Sequence, residues 1–402
     1  MKCVIVGGGQ AASSAAAKLR ELDSDAEITM ICGEPVLPYQ RPPLSKKYLS
    51  GEMPLDRLVL RPQEWFDDQR VDVVTGVLAE SIDRGAKTII CSDGSAYIYD
   101  KLLLATGSSV RRLPASIGGG RSRVHYLRST NDADHLAPYL KEGGRMVMVG
   151  GGYIGLEVAA VARSAGMEVS VVEMAPRILQ RVAAPETSDF FRSLHTGHGV
   201  RLLEGVGLER LEEAGEGITA HLSDSTSIEA DVAVVGIGIV PDVDLADHAG
   251  LTLDNGIAVD DYCTTDDDDI FAAGDCASFI FKNSRIRLES VPNAIHQAEI
   301  AARNMLGERV AYLATPWFWS DQYDVKLQIA GLNMGYDETV VRPGKREGAQ
   351  SVWYFRDGEV LAVDAMNDAP AFMMARRILE GGKSITPAQA ADPQSDLKAI
   401  AL

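Results

Sequence analysis

Two stretches of this sequence put glycines where a phosphate can lie against bare backbone. The first reads Val4-Ile5-Val6-Gly7-Gly8-Gly9-Gln10-Ala11-Ala12, and the second Val147-Met148-Val149-Gly150-Gly151-Gly152-Tyr153-Ile154-Gly155. Each is an apolar run, a glycine turn and a small-residue segment with helical character. The chemistry this suits is recognition of a dinucleotide pyrophosphate. The first glycine (Gly7, Gly150) lets the strand turn sharply. The second (Gly9, Gly152) has no side chain, so the pyrophosphate can approach the backbone. The third position (Ala12, Gly155) must be small for the helix to pack on the strand. The helix start then offers free N–H groups and a partial positive charge. One such motif is weak evidence. Two copies in one chain, each leading to a second strand with an acid at its end, are far more specific.

Those acids say which nucleotide fits. After the second turn, the run Glu168 to Val172 leads directly into Glu173. A carboxylate there accepts from a ribose 2′-hydroxyl and repels a 2′-phosphate, so NADH is expected over NADPH. Arg177 and Arg181 follow closely and are the residues a 2′-phosphate would recruit. After the first turn, the run Ile28 to Cys32 is followed by Gly33 and then Glu34. A third apolar run, Ile270 to Ala273, ends in Gly274-Asp275, an arrangement suited to a ribityl hydroxyl and phosphate. Two dinucleotide sites in one chain imply electron transfer between a resident flavin and a visiting nicotinamide. The runs ending at Gly107 and Gly238 read as crossings between domains, and Asp266 to Asp269 as a solvated loop.

These devices need a large scaffold. The chain has 402 residues, 46% of them hydrophobic, enough for two or three domains. A formal charge of −18 argues against non-specific nucleic-acid binding and against an anionic membrane surface. No long uncharged apolar run or secretory signal is visible, so a cytoplasmic, non-membrane protein is expected. The five cysteines, Cys3, Cys32, Cys91, Cys263 and Cys276, include no CxxC or CxxxxC pair. They read as small apolar core residues. His195 and His198 have the spacing of a metal pair, but Gly197 lies between them and no third ligand is near. The segment reads as a loop, and no metal is expected.

Three further segments narrow the reading: Pro42-Pro43-Leu44-Ser45-Lys46, Glu289-Ser290-Val291-Pro292-Asn293-Ala294, and Pro316-Trp317-Phe318-Trp319-Ser320-Asp321-Gln322-Tyr323. With the glycine turns they resemble the two-dinucleotide-binding flavoprotein reductases of the glutathione-reductase type. Within that superfamily they resemble the ferredoxin reductases that serve cytochrome P450 and Rieske-type oxygenases, the putidaredoxin reductase type. The resemblance runs along essentially the whole chain, with the motifs in the family's order.

The resemblance implies roles residue by residue. Gly7, Gly9, Ala11 and Ala12 would hold the FAD pyrophosphate. Arg41 and Lys46 would lie along the FAD, Lys46 near the ring. Ala79 would meet the adenine by its backbone, and Arg128 stands at another FAD-contacting position. Asp275 would hold the ribityl and phosphate portion, and Val291 the isoalloxazine. Gly150, Gly152, Ile154, Gly155, Glu173 and Gly238 match NAD-contacting positions. Glu157 matches the acid that pairs with Lys46 beside the flavin, which makes the two the candidate catalytic pair; the plainer alternative is a buried salt bridge. One departure stands at Gly33, where the family carries an acid. Glu34 either takes over that FAD ribose contact or is a surface loop acid.

The implied fold class is α/β: two Rossmann-like dinucleotide-binding domains, the NAD domain inserted in the FAD domain, and a small C-terminal α+β domain. The boundaries expected are 1–107 with 238–315 for FAD, 108–237 for NAD, and 316–402 for the last. In the last, strands are expected at 325–330, 351–355 and 360–363, and a helix at 369–379. Tyr153 either covers the flavin until nicotinamide displaces it or packs in a core. Relatives that reduce disulfides relay electrons through a cysteine pair. Here electrons must leave the flavin directly, which suits a one-electron carrier such as a [2Fe–2S] ferredoxin. The alternatives are a rubredoxin or monodehydroascorbate reductase, or a redox-signalling flavoprotein like apoptosis-inducing factor.

Overall fold

The computed structural model describes residues 1–401. The chain forms two compact units. One comprises Met1–Arg41, Leu55–Ser109 and Ile239–Pro316; the other comprises Pro42–Pro54, Val110–Gly238 and the chain from Trp317 onward.

The first unit is built on a five-stranded parallel sheet, in the order Ile270–Ala272, Lys101–Leu104, Lys2–Val6, Glu27–Cys32, Val71–Thr75. Its central strands are short apolar runs without alternation, as a sheet buried on both faces requires. Helices Gln10–Leu22 and Val291–Met305 pack against each other. Both bury alanines there, Ala12, Ala15 and Ala16 on one and Ala298, Ala301 and Ala302 on the other, so their axes can approach closely. Two three-stranded sheets accompany it: an antiparallel one, Ala79–Asp83, Thr88–Cys91 and Ala96–Ile98, and a mixed one, Ile257–Ala258, Ala277–Phe281 and Ser284–Ile286.

The second unit repeats the plan. Its parallel sheet runs Arg201–Glu204, Glu168–Glu173, Arg145–Val149, Val232–Val235, Val124–His125. The strand Arg145–Val149 feeds the second glycine turn, and helix Tyr153–Ser164 follows it. The C-terminal part is a five-stranded antiparallel sheet, Trp317–Gln322, Val325–Gly331, Glu359–Met366, Gln350–Arg356, Glu338–Pro343, with helix Ala369–Glu380. The fold is therefore α/β with two Rossmann-like sheets, one inserted in the chain of the other, and a small C-terminal antiparallel domain.

The structure corrects three local readings. His195 is not in a loop: it lies in the last turn of helix Pro185–Gly197, fully buried, and His198 caps that helix. The buried positions Thr187, Ser188, Phe191 and His195 recur at helical spacing, but three of the four are polar and mask the apolar stripe. The aspartate run is not merely solvated. Asp267 pairs with Arg84 at 2.8 Å, and Asp269 with Lys87 and Lys101 at 2.5 and 2.6 Å. The C-terminal sheet also has two strands more than the three expected, Trp317–Gln322 and Glu338–Pro343. The aromatic run of the first alternates: Trp317 and Trp319 lie together at 5.6 Å, while Phe318 turns to Tyr153 at 5.1 Å.

Candidate functional site

In the first unit the strand Lys2–Val6 ends at Gly7, whose φ of +139° only glycine adopts without strain. A Cβ at Gly7 would stand 2.2 Å from the Ala105 carbonyl oxygen, whereas one at Gly9 would meet nothing within 4 Å. Gly9 is the N-cap of helix Gln10–Leu22 and supplies no side-chain cap, so the first-turn N–H groups are left without one. Ala12 is fully buried, as the close-packing position must be.

Around this turn the same unit collects most of the residues expected at FAD. Glu34 accepts from the Tyr39 hydroxyl at 2.6 Å and pairs with Arg41 at 2.5 Å, so it is part of a half-buried cluster. Asp275 accepts from Ser108 Oγ at 2.9 Å. Val291 opens the helix whose N-cap Ser290 accepts from Asn293 N at 3.3 Å. Ala79 opens its strand opposite Cys91. Gly33, the departure from the family pattern, has Leu78 packed where its Cβ would be, 2.5 Å away.

The second unit holds the other copy. Gly150 has φ +107°, and a Cβ there would meet the Gly236 carbonyl oxygen at 2.3 Å. Gly152 again faces open space and leaves the helix start uncapped. Gly155 permits the closest approach of helix to turn, since its Cβ would lie 2.2 Å from the Gly150 carbonyl oxygen. Glu173 bends over this turn: one carboxylate oxygen accepts from Gly151 N and the other from Ala175 N, both at 2.7 Å. Gly238 has φ +107°, and the Arg181 guanidinium lies 3.6 Å from where its Cβ would be. Ile154 is 46% exposed although large and apolar. Arg177 turns away, donating to Ser188 Oγ at 2.6 Å. Two glycine turns with open space and uncapped helix starts fit two dinucleotides.

Lys46 and Glu157 meet within this unit, 2.6 Å apart. Lys46 follows the short 3₁₀ turn Pro42–Ser45, whose two prolines fix the backbone and whose Pro42 carbonyl accepts from Lys46 Nζ at 3.2 Å. Glu157 lies one turn into helix Tyr153–Ser164 and is 4% exposed. A buried carboxylate needs its lone pairs satisfied. Here Ser45 Oγ donates to Oε2 at 2.5 Å and Ser320 Oγ to Oε1 at 2.6 Å. Arg128 precedes the capping box of helix Thr130–Leu136, its N–H donating to Asp132. Tyr153 packs on Phe318 with its hydroxyl buried, and burial pushes that hydroxyl well above its ordinary pKa.

Several residues beside these were not singled out from the sequence. Ser320 and Gln322 sit two apart on one face of a strand, a pattern that would have marked an inward polar pair among aromatics. Asp364, fully buried, accepts from Thr187 Oγ1 at 2.8 Å and from the Tyr354 hydroxyl. Burial pushes its carboxyl up to about 6. All five cysteines are buried with free thiols, and burial raises Cys32, beside the first turn, to about 12. Among the described residues no His, Cys, Asp and Glu cluster suits a metal, and no helix is long and apolar enough to cross a membrane.

A duplicated glycine turn on parallel sheets defines a nucleotide-linked oxidoreductase, and the chain belongs to the pyridine nucleotide-disulphide oxidoreductase family, whose model matches residues 1–298. The reductase C-terminal family matches residues 317–401. Among individual proteins, the chain is 42% identical to rhodocoxin reductase of Rhodococcus erythropolis, over 99% of this chain and 94% of that one. It is 39% identical to the 5,5'-dehydrodivanillate O-demethylase ferredoxin reductase subunit of Sphingobium sp., over 99% and 98%. The crystal structure of the covalent putidaredoxin reductase–putidaredoxin complex matches with a TM-score of 0.95 at 37% identity, over 99% of this chain and 97% of that one.

Proposed function

We propose that this chain is an NADH-dependent flavoprotein reductase. It accepts hydride from NADH onto FAD and passes single electrons to a [2Fe–2S] ferredoxin that feeds a cytochrome P450 or Rieske-type oxygenase. The observation that carries this reading is the pair of unequal glycine turns. The second is overhung by Glu173, whose carboxylate is already anchored to the turn by Gly151 and Ala175 N–H groups. The first is accompanied by Asp275, Arg41 and Glu34. Full-length similarity to ferredoxin reductases of oxygenase systems supports the choice of partner. A cytoplasmic setting is part of the proposal, as is a division into an FAD domain (1–107 and 238–315), an NAD domain (108–237) and a C-terminal domain (316–402).

In this reading Gly7, Gly9, Ala11, Ala12, Glu34, Arg41, Ala79, Arg128, Asp275 and Val291 serve FAD, and Gly150, Gly152, Ile154, Gly155, Glu173 and Gly238 serve NADH. Bound FAD supplies the step that a protein side chain lacks, taking an electron pair as hydride and giving electrons up singly. The protein supplies position and charge. Lys46 offers a cation where negative charge develops, and Glu157 holds that cation in place. Glu173 orients the adenosine ribose and rejects a 2′-phosphate by repulsion. The buried, unpaired cysteines leave no thiol relay, which favours direct exit to a one-electron acceptor.

The test is anaerobic. NADH is expected to bleach the flavin, and catalytic enzyme should then reduce [2Fe–2S] ferredoxins, with rubredoxin and monodehydroascorbate as competing acceptors. Failure to reduce any ferredoxin in a panel including those of the host refutes the reading. Lys46→Ala is expected to retain FAD and slow its reduction by NADH; an unchanged stopped-flow trace removes Lys46 from the mechanism.

A further inference from the structure

The Lys46–Glu157 pair is the near end of a longer buried chain. Glu157 Oε1 accepts from Ser320 Oγ at 2.6 Å, Ser320 Oγ accepts from Gln322 Nε2 at 3.2 Å, and Gln322 Oε1 lies 2.8 Å from His195 Nε2. Ser320, Gln322 and His195 are at most 1% exposed. Donor directions are forced along its length. A carboxylate oxygen only accepts, so the single Ser320 proton points to Glu157. Gln322 must then present its amide N–H to Ser320, which turns its carbonyl oxygen to His195. His195 must carry its proton on Nε2. The other ring nitrogen, Nδ1, is buried without a partner, and an N–H placed there would be a buried donor left unsatisfied while Gln322 Oε1 lost its own.

We propose that Ser320, Gln322 and His195 are positioning residues for the Lys46–Glu157 pair. Their one-way hydrogen bonds fix the orientation of the Glu157 carboxylate, one oxygen held by Ser320 and the other presented to Lys46. The ammonium is thereby held at one point instead of swinging with a mobile carboxylate. Burial disfavours the charged imidazolium and lowers the His195 pKa to about 4, and in either protonation state Nε2–H donates toward Gln322. A helix of the nucleotide domain and a strand of the C-terminal sheet are thus joined to a lysine that neither contains. This inference rests on the reading that Lys46 serves the flavin.

Two experiments test it. On the FAD-loaded enzyme, Ser320→Ala removes a hydrogen bond to a charged group, and the loosened pair is expected to shift the reduction equilibrium of the flavin about tenfold. That is about 30 mV more negative for a two-electron couple. Flavin reduction by NADH should slow by roughly tenfold with KM for NADH unchanged. Ser320→Thr, which keeps the hydroxyl, should restore both. Gln322→Met should give a smaller shift in the same direction, and serves alone if Ser320→Ala does not fold. Variants that match wild type in potential and rate overturn the inference while Lys46→Ala still slows reduction; if Lys46→Ala is silent too, the reading of Lys46 falls with it. On protein without FAD, ¹⁵N-histidine NMR should find His195 as the Nε2–H tautomer. An Nδ1–H tautomer reverses the donor order and overturns the proposal outright.

Discussion

Gly155→Ala tests the second glycine turn at its tightest point. An alanine Cβ there would stand 2.2 Å from the Gly150 carbonyl oxygen and 2.9 Å from Met148 Cε. Methionine can swing away, but the oxygen belongs to the turn itself, so either the helix lifts or the turn distorts. Overpacking of this kind costs about 1–3 kcal/mol, and a backbone clash with no rotamer to relieve it belongs at about 3. Alanine returns about 1 kcal/mol of helix propensity. The net is a loss of roughly 2 kcal/mol, or about 4–8 °C in Tm for a domain of about 150–250 residues. The chain contains its own control, because the corresponding position of the first turn is Ala12, which packs fully buried. Ala12→Gly should cost only about 1 kcal/mol, from backbone entropy. Calorimetry gives both numbers, and isothermal titration with NAD⁺ reports on the turn. Gly155→Ala is expected to weaken NAD⁺ binding as well as stability. An unchanged Tm together with unchanged NAD⁺ affinity would refute the close-packing argument.

Two other outcomes follow from charges on the same unit. Removing the charge with Glu173→Gln should cut the NADH to NADPH preference in kcat/KM by about 10–100-fold, the worth of one hydrogen bond to a charged group; a wild-type enzyme that already uses both coenzymes equally would contradict it. Asp364→Asn should change how stability depends on pH. Burial lifts the Asp364 carboxyl from 3.8 to about 6, so the fold favours its neutral form, and the wild type loses stability as pH rises from about 4 through 6. Asparagine accepts the same bonds from Thr187 and Tyr354 without that loss, so the variant should gain on wild type over this window, by at most about 3 kcal/mol. His195 titrates there in the opposite sense, losing stability as pH falls from 6.5 toward about 4, so the readout is the difference between the two proteins. A difference that stays flat from pH 4 to 7 would rule out an ionised, buried Asp364.

What the sequence disclosed was whatever backbone geometry imposes locally. Gly7 and Gly150 must be glycine because of their own φ and an adjacent carbonyl, and that need is written in the neighbouring residues. The acid at Glu173 is likewise fixed by counting along one strand. Glu34 was harder, because one residue of offset decides whether an acid faces the turn, and only the structure shows it bound to Tyr39 and Arg41. The polar chain behind Glu157 was not legible at all. Ser320 lies 163 residues from Glu157, and nothing local to either says that they touch. His195 was misplaced because Gly197 and a mostly polar buried face disguised the last turn of a helix.

The segment that carries Lys46 shows how far such contacts reach beyond chain order. Pro42–Pro54 is flanked by stretches of the first unit, yet its contacts lie in the second. Leu44 and Leu49 of this segment are buried, and beside them stand polar contacts: Ser45 and Lys46 on Glu157, and the Tyr48 hydroxyl on Asp134 at 2.8 Å. Stability alone gives a poor account of this arrangement. Desolvating an ammonium and a carboxylate costs several kcal/mol each, and apolar residues of similar volume often serve a core as well or better. A buried pair whose carboxylate also receives two serine hydroxyls is an expensive way to fasten a loop. It is an effective way to keep one positive charge at one place, because both oxygens of Glu157 are held by fixed donors, Oε2 by Lys46 and Ser45 and Oε1 by Ser320. The cost is intelligible if the charge, and not the loop, is what the fold is arranged to hold.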